Sequence, residues 1–182
     1  LKTNSIYYIQ SMTKPIMSVA IMQLIERGLV ALDDPIEMYI PEVKDLRVAL
    51  NLDLGVDSPT QKVNQSMTIL DLLTHTSGLS HGLGDSNLDK QIFKALYDET
   101  LNYRSHESLE DRVFTLLSFP LVAQPGTQWY YSAGADILAL ILQRVTKQSI
   151  PTYLKINIFD PLDMNDTGYN LDELQSRRVM KL

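Results

Sequence analysis

With 182 residues, 45% hydrophobic and 21% charged, the chain has the make-up of a soluble globular protein and the length for one domain with a real core. Its net charge of −6 argues against a nucleic-acid partner, since phosphate binding is led by clustered Lys and Arg. The absence of cysteine excludes disulfides, thiol nucleophiles and Cys-zinc sites, and His75, His81 and His106 lack the spacing of a common metal motif; they read as loop or capping residues, and neither metal nor cofactor is expected.

No stretch reaches the roughly 18–20 uninterrupted apolar residues of a membrane span, and the first residues lack a signal-peptide plan. The chain does not begin with Met, so a leader upstream, and with it the compartment, is left open. Residues 5–9 read as a short strand or extended lead-in. A helix follows from about 11 to 28, its apolar positions Ile16, Val19, Ala20, Ile21, Met22, Leu24 and Ile25 recurring at helical spacing. Pro15 is tolerated only in or near a first turn, which pins the helix start close to Ser11, and Gly28 is the stop signal. Leu32 to Pro35 is a turn, followed by a short helix to Ile40, a break at Pro41 and a candidate strand over Leu46 to Leu50. Residues 51–65 read as a polar surface loop, either an active-site border or a tolerated insertion.

Thr68 and Asp71 form a capping-box-like start to a helix reaching about Thr74, with Gly78 as its left-handed stop. Amphipathic helices follow over about 87–99 (Leu88, Ile92, Phe93, Leu96) and about 106–118 (Leu109, Val113, Leu116, Leu117). Pro125-Gly126 is in type II turn order, Trp129 to Tyr131 is extended, and a helix over about 133–146 has the apolar face Ile137, Leu138, Ile141, Leu142 and Val145. A short helix over about 151–159, a turn at Asp160 to Met164, an extended Asp166 to Tyr169 and the start of a charged helix over 171–182 complete the chain.

Ser11 and Lys14 stand three apart at the start of the first helix, on one face and within side-chain reach. A serine there can attack an acyl carbon, and a neutral lysine can take its proton. The helix N-terminus favours developing oxyanion charge and disfavours a second positive charge. Alone, the pair says little: Ser-x-x-Lys arises by chance about once in a chain this long.

Five segments in register carry more. They are Ser11-Met12-Thr13-Lys14-Pro15; Leu32-Asp33-Asp34-Pro35; Leu72-Leu73-Thr74-His75-Thr76-Ser77-Gly78-Leu79; Pro125-Gly126 with Trp129, Tyr131 and Ser132; and Pro161-Leu162-Asp163-Met164 with Thr167-Gly168. Together they resemble the serine β-lactamase-like hydrolases: class C β-lactamases, related esterases and D-alanyl-D-alanine peptidases. The resemblance implies an α+β, β-lactamase/transpeptidase-like fold. It implies Ser11 as acylated nucleophile, with its N–H as half of an oxyanion hole, Lys14 as proton acceptor and Tyr131 as the phenol completing the triad, although the acylation base is disputed in this superfamily. Trp129 reads equally as an acyl-pocket wall or a packing residue, and His75 as a loop-organising residue. Where the lactamase pattern has a substrate-holding Asn two residues after Tyr131, this chain has Ala133, which places it nearer the esterase branch. Lys147 and Asp163 stand where the family usually has Gly.

The family is about twice this long, and its Lys/His-x-Gly strand would lie beyond Leu182. Residues 1–182 are therefore expected to form a single incomplete β-lactamase-like domain, mostly helical and lacking most of the central sheet: the nucleophile helix 11–28 plus a helical lobe over about 68–169, completed by a missing C-terminal segment. The expected function is hydrolysis of a small ester or amide through an acyl-enzyme. The alternatives are a non-hydrolytic penicillin- or peptidoglycan-binding homologue and, for these residues alone, an inactive fragment.

Overall fold

The computed structural model describes residues 2–43, 45–97 and 108–180. Its central helix is α1 (Thr13–Glu26), entered through a 3-10 turn at Gln10–Met12. Pro15 falls in the first turn of α1, where a missing N–H removes no intrahelical bond, and the helix stops just before Gly28 at φ +67°. Met17, Ala20, Ile21 and Leu24 are buried, each large side chain contributing roughly 1.5–3 kcal/mol, whereas Val19 and Met22 are half exposed. The repeat thus marked the helix, and packing covers only part of its apolar face.

After a 3-10 turn at Ile36–Met38 the chain forms β1 (Arg47–Ala49). Residues 51–65 are not simply a surface loop. They contain a 3-10 segment at Leu52–Asp57, which turns through Gly55 at φ +62°, and the strand β2 (Thr60–Lys62). β2 pairs antiparallel with β1 in the register Arg47↔Lys62, Val48↔Gln61, Ala49↔Thr60. Pairing across a chain reversal, not any alternation in Thr-Gln-Lys, makes β2 a strand.

The capping box that starts α2 (Ile69–Thr74) is present: the Asp71 N–H donates to Thr68 Oγ1 at 3.2 Å, and the Thr68 N–H donates to Asp71 Oδ2 at 3.0 Å. The helix ends at Thr74 as expected, but the left-handed residue that closes it is His75, at φ +60°, and Gly78, at φ +78°, makes the next turn. A second capping box, Ser86 with Asp89, starts α3 (Asn87–Leu96). α4 (Leu109–Leu117) and α5 (Gly134–Thr146) follow, and the predicted 98–99 and 106–107 helix ends lie outside the described residues. α5 lies against α1, α2 and α4 and buries an unbroken run from Ile137 to Leu142. Lys147 closes it in the left-handed region at φ +58°, as Asp163 does in its turn at φ +53°. The helix expected over 151–159 is α6 (Ile150–Leu154) running into a π-helical turn at Lys155–Phe159. Residues 165–170 are turns and bends, and the final charged helix is a single turn, α7 (Glu173–Ser176). Ile6 forms a parallel bridge with Val179, which ties the lead-in before α1 to the segment after α7. One apolar core runs from α1 through α2 to α6.

Candidate active site

Ser11 lies in the 3-10 turn at the head of α1, immediately after Gln10, which adopts φ +49°. A non-glycine residue in that region costs of order 1–3 kcal/mol and persists only where its surroundings hold it. Lys14, one turn on, donates from Nζ to Ser11 Oγ at 3.2 Å. Tyr131, 120 positions away, donates its hydroxyl to the same oxygen at 2.9 Å. The Lys14 ammonium also sits 4.9 Å from the centroid of the Tyr131 ring, a cation–π distance. Ser11 is exposed, while Lys14 and Tyr131 are half-buried.

Tyr131 is held through both chain neighbours. The Tyr130 N–H donates to the His75 carbonyl at 2.8 Å and the Tyr130 hydroxyl to the buried Asp89 carboxylate at 2.9 Å. The Ser132 N–H donates to His75 Nδ1 at 3.2 Å, which puts the imidazole proton on Nε2. The left-handed turn at His75 thus presents both its carbonyl and its ring to the 130–132 segment. The Gly126 N–H donates to the Thr76 carbonyl at 2.8 Å and joins the Pro125-Gly126 turn to the same corner.

Two imidazoles lie against the Tyr131 ring: His75 with centroids 4.8 Å apart, and His81 stacked at 5.3 Å and 30°. Burial, then the Lys14 charge, lowers the His75 pKa. The same two causes, in that order, push His81 down to about 4, so His81 is neutral at neutral pH. Burial raises the Tyr131 phenol, but hydrogen bonds to Lys14 and Ser11 and the Lys14 charge outweigh it, and its pKa lies below the usual tyrosine value.

Of the residues singled out in the sequence, Ser11, Lys14 and Tyr131 meet at one oxygen. Ala133, 3% exposed, heads α5 and lines a cleft of about 1040 Å3 that also holds Ser11 and Lys14; Tyr8, Ile16, Met17 and Ala139 give it apolar walls. Trp129 is not part of that lining; it stands 63% exposed, edge-on to His75 at 6.2 Å. His75 does cap a helix, but no local signal marked His81 as buried beneath the phenol; the one available hint was a histidine inside the Ser80–Asp85 turn-rich loop. His106 lies outside the described residues. Among the described residues no group of three or more His, Asp or Glu is arranged to hold a metal ion, and no helix is long and apolar enough to cross a membrane.

A comparison with protein-family models matches residues 1–182, end to end, to the beta-lactamase family. The chain belongs to the beta-lactamase family. Within it, the chain is 30% identical to the lovastatin esterase of Penicillium rubens, over 97% of this chain and 43% of that protein, and 31% identical to esterase EstB of Burkholderia gladioli, over 93% and 40%. Among solved structures, unliganded simvastatin synthase LovD from Aspergillus terreus superposes with a TM-score of 0.77 at 25% identity, covering 98% of this chain and 43% of that one. The chain therefore has the expected β-lactamase-like fold, here mostly helical, and spans less than half the length of these relatives.

Proposed function

We propose that the protein carrying this chain is a serine hydrolase that works through an acyl-enzyme on a small ester or amide, with Ser11 as nucleophile and Lys14 and Tyr131 as its proton-handling pair. The observation that carries the proposal is the convergence of the Lys14 amine and the Tyr131 phenol on Ser11 Oγ, at 3.2 and 2.9 Å. In the first half-reaction Ser11 Oγ bonds to the substrate carbonyl carbon and its proton passes to the Tyr131–Lys14 pair. The lowered phenol pKa supports Tyr131, held toward its ionised form by Lys14, as the immediate acceptor. The pair then returns the proton to the leaving alcohol or amine as the carbonyl–heteroatom bond breaks. Water, deprotonated by the same pair, attacks the Ser11 ester, and the pair returns that proton to Ser11 Oγ as its bond to the acyl carbon breaks and the acid leaves. The Ser11 N–H, which has no acceptor among the described residues, stands at a helix N-terminus where an oxyanion is favoured.

Ala133 supports an ester over a β-lactam, because a methyl group there offers nothing to hold an amide side chain. The lovastatin esterase and esterase EstB names agree with that preference for those proteins. A non-hydrolytic binding protein would have no need to retain both Lys14 and Tyr131 on one serine oxygen. Residues 1–182 are proposed to be one incomplete domain, the α1 helix with its helical lobe, which a further segment completes with sheet.

The test is mass spectrometry of the full-length protein after a fluorophosphonate. An adduct on the Ser11 peptide, absent from Ser11→Ala, is expected. Undiminished ester turnover by Ser11→Ala would overturn the assignment.

A further inference from the structure

We propose that His81 is a positioning residue for this reaction, its ring packing flat on Tyr131 so that the phenol oxygen stays within reach of Ser11 Oγ. The proposal rests on the reading of Ser11, Lys14 and Tyr131 as the reacting set.

The geometry describes a stack that starts in α3 and ends at the active phenol. Phe93 stacks on Tyr97 with centroids 4.9 Å apart at 21°, Tyr97 lies 5.4 Å from His81 at 30°, and His81 lies 5.3 Å from Tyr131 at 30°. His81 and Tyr97 are each only 6% exposed, so the stack is packed rather than resting on solvent. The Tyr97 hydroxyl lies 2.7 Å from His81 Nδ1 and 2.9 Å from Nε2, shared between the two ring nitrogens. The stacked geometry at 30° has His81 meet Tyr131 with its ring face, and it is this flat contact that sets the phenol's place.

The loop that carries His81 is fixed on both sides. Ser80 Oγ donates to Asp89 at 2.5 Å and accepts from the Gly82 N–H at 2.8 Å, bracketing residue 81. Gly82 adopts φ +82°, and a Cβ on it would come within 2.6 Å of the Phe93 backbone nitrogen, so this loop presses directly onto α3. Asp89 also holds Tyr130, the residue before Tyr131. One buried carboxylate thus sets both the stacking ring and the segment it stacks on. An uncharged His81 fits this role, because a second cation beside Lys14 would oppose the charge on that amine.

Offset aromatic stacking favours a particular ring placement without a covalent tie, and a displacement near 1 Å in a reacting group is enough to slow chemistry about 10²-fold. The experiment compares His81→Phe and His81→Ala in the full-length protein by burst kinetics on a p-nitrophenyl ester. His81→Ala is expected to slow acylation by about 10²-fold with KM little changed, and His81→Phe, which keeps a flat ring, to stay near the parent rate. His81→Leu, which fills the space without a planar face, replaces the alanine variant if that one does not fold. A parent-like rate in His81→Ala overturns the proposal, and so does an equal fall in His81→Phe at an unchanged denaturation midpoint. A second readout needs no turnover: the Tyr131 Cζ resonance, identified by its loss in Tyr131→Phe, should shift in the alanine or leucine variant and not in the phenylalanine one. No Ser11 adduct in the parent protein sinks the reacting-set reading, while an immobile resonance sinks the role of His81.

Discussion

Lys14 and Tyr131 contact the same oxygen, so their removal should not be independent. Tyr131→Phe deletes one hydroxyl and keeps the ring against His75 and His81; Lys14→Met deletes the amine and keeps the length of the side chain. Loss of a positioned acid or base typically slows a reaction by about 10²–10⁴-fold, roughly 3–5 kcal/mol in the barrier. Two independent groups would multiply to about 10⁴–10⁸ in the double variant. A pair converging at 2.9 and 3.2 Å on a single Oγ fails as soon as either member is lost, so the double variant should react about as slowly as the slower single one. The assay is single-turnover acylation of the full-length protein by a p-nitrophenyl ester, with chemical denaturation confirming that each variant is folded. Fully multiplicative losses would refute the reading of Lys14 and Tyr131 as one proton relay.

In Lys14→Met, the Tyr131 titration followed through its Cζ resonance should move up: Lys14 and its hydrogen bond hold the phenol below the usual value, and burial, which remains, raises it. Asp89→Asn should destabilise by about 3 kcal/mol in urea unfolding, since a buried carboxylate that accepts from Ser80, Ser86 and Tyr130 loses its charge. Burial raises the Asp89 pKa, but these hydrogen bonds hold it below the usual carboxylate value, so its stabilisation should be full well above the unfolded-state pKa, decline as pH drops past that value and be gone once pH falls below the folded one. Gly78→Ala should be far worse than Gly28→Ala, as both glycines have positive φ but a Cβ at 78 runs into the Ala123 carbonyl whereas one at 28 meets nothing within 4 Å; melting temperatures separate a loss near 1–2 kcal/mol at 28 from a larger one at 78. Ala133→Asn should raise β-lactam acylation relative to ester turnover, read as the ratio of nitrocefin to p-nitrophenyl ester rates.

The legible parts of the fold were those with a local cause. Pro15 and Gly28 bounded α1 because each acts on its own backbone, and Thr68 with Asp71 marked α2 because a capping box closes within four residues. β2 escaped because Thr60–Lys62 carries no alternating pattern, and its strand character exists only through β1. Helical spacing says which positions of α1 are apolar, and only packing says that Val19 and Met22 stay half exposed.

The site divides along the same line. A serine and a lysine three apart on a helix make contact through local geometry alone, and Lys14 Nζ indeed reaches Ser11 Oγ. Tyr131 came from the family resemblance, since nothing in its own surroundings distinguishes it from Tyr130. The structure supplies that distinction. Tyr130 turns its hydroxyl inward to Asp89, whose carboxylate, with burial first, raises that phenol to about 12, while Tyr131 turns toward Lys14 and is lowered. Alternation along an extended segment sends adjacent side chains to opposite faces, so anchoring Tyr130 in the interior obliges Tyr131 to face the serine. The buried carboxylate therefore does more than stabilise a loop: it decides which of two neighbouring tyrosines reaches the Ser11 oxygen, and no spacing rule applied to residues 129–132 alone contains that choice.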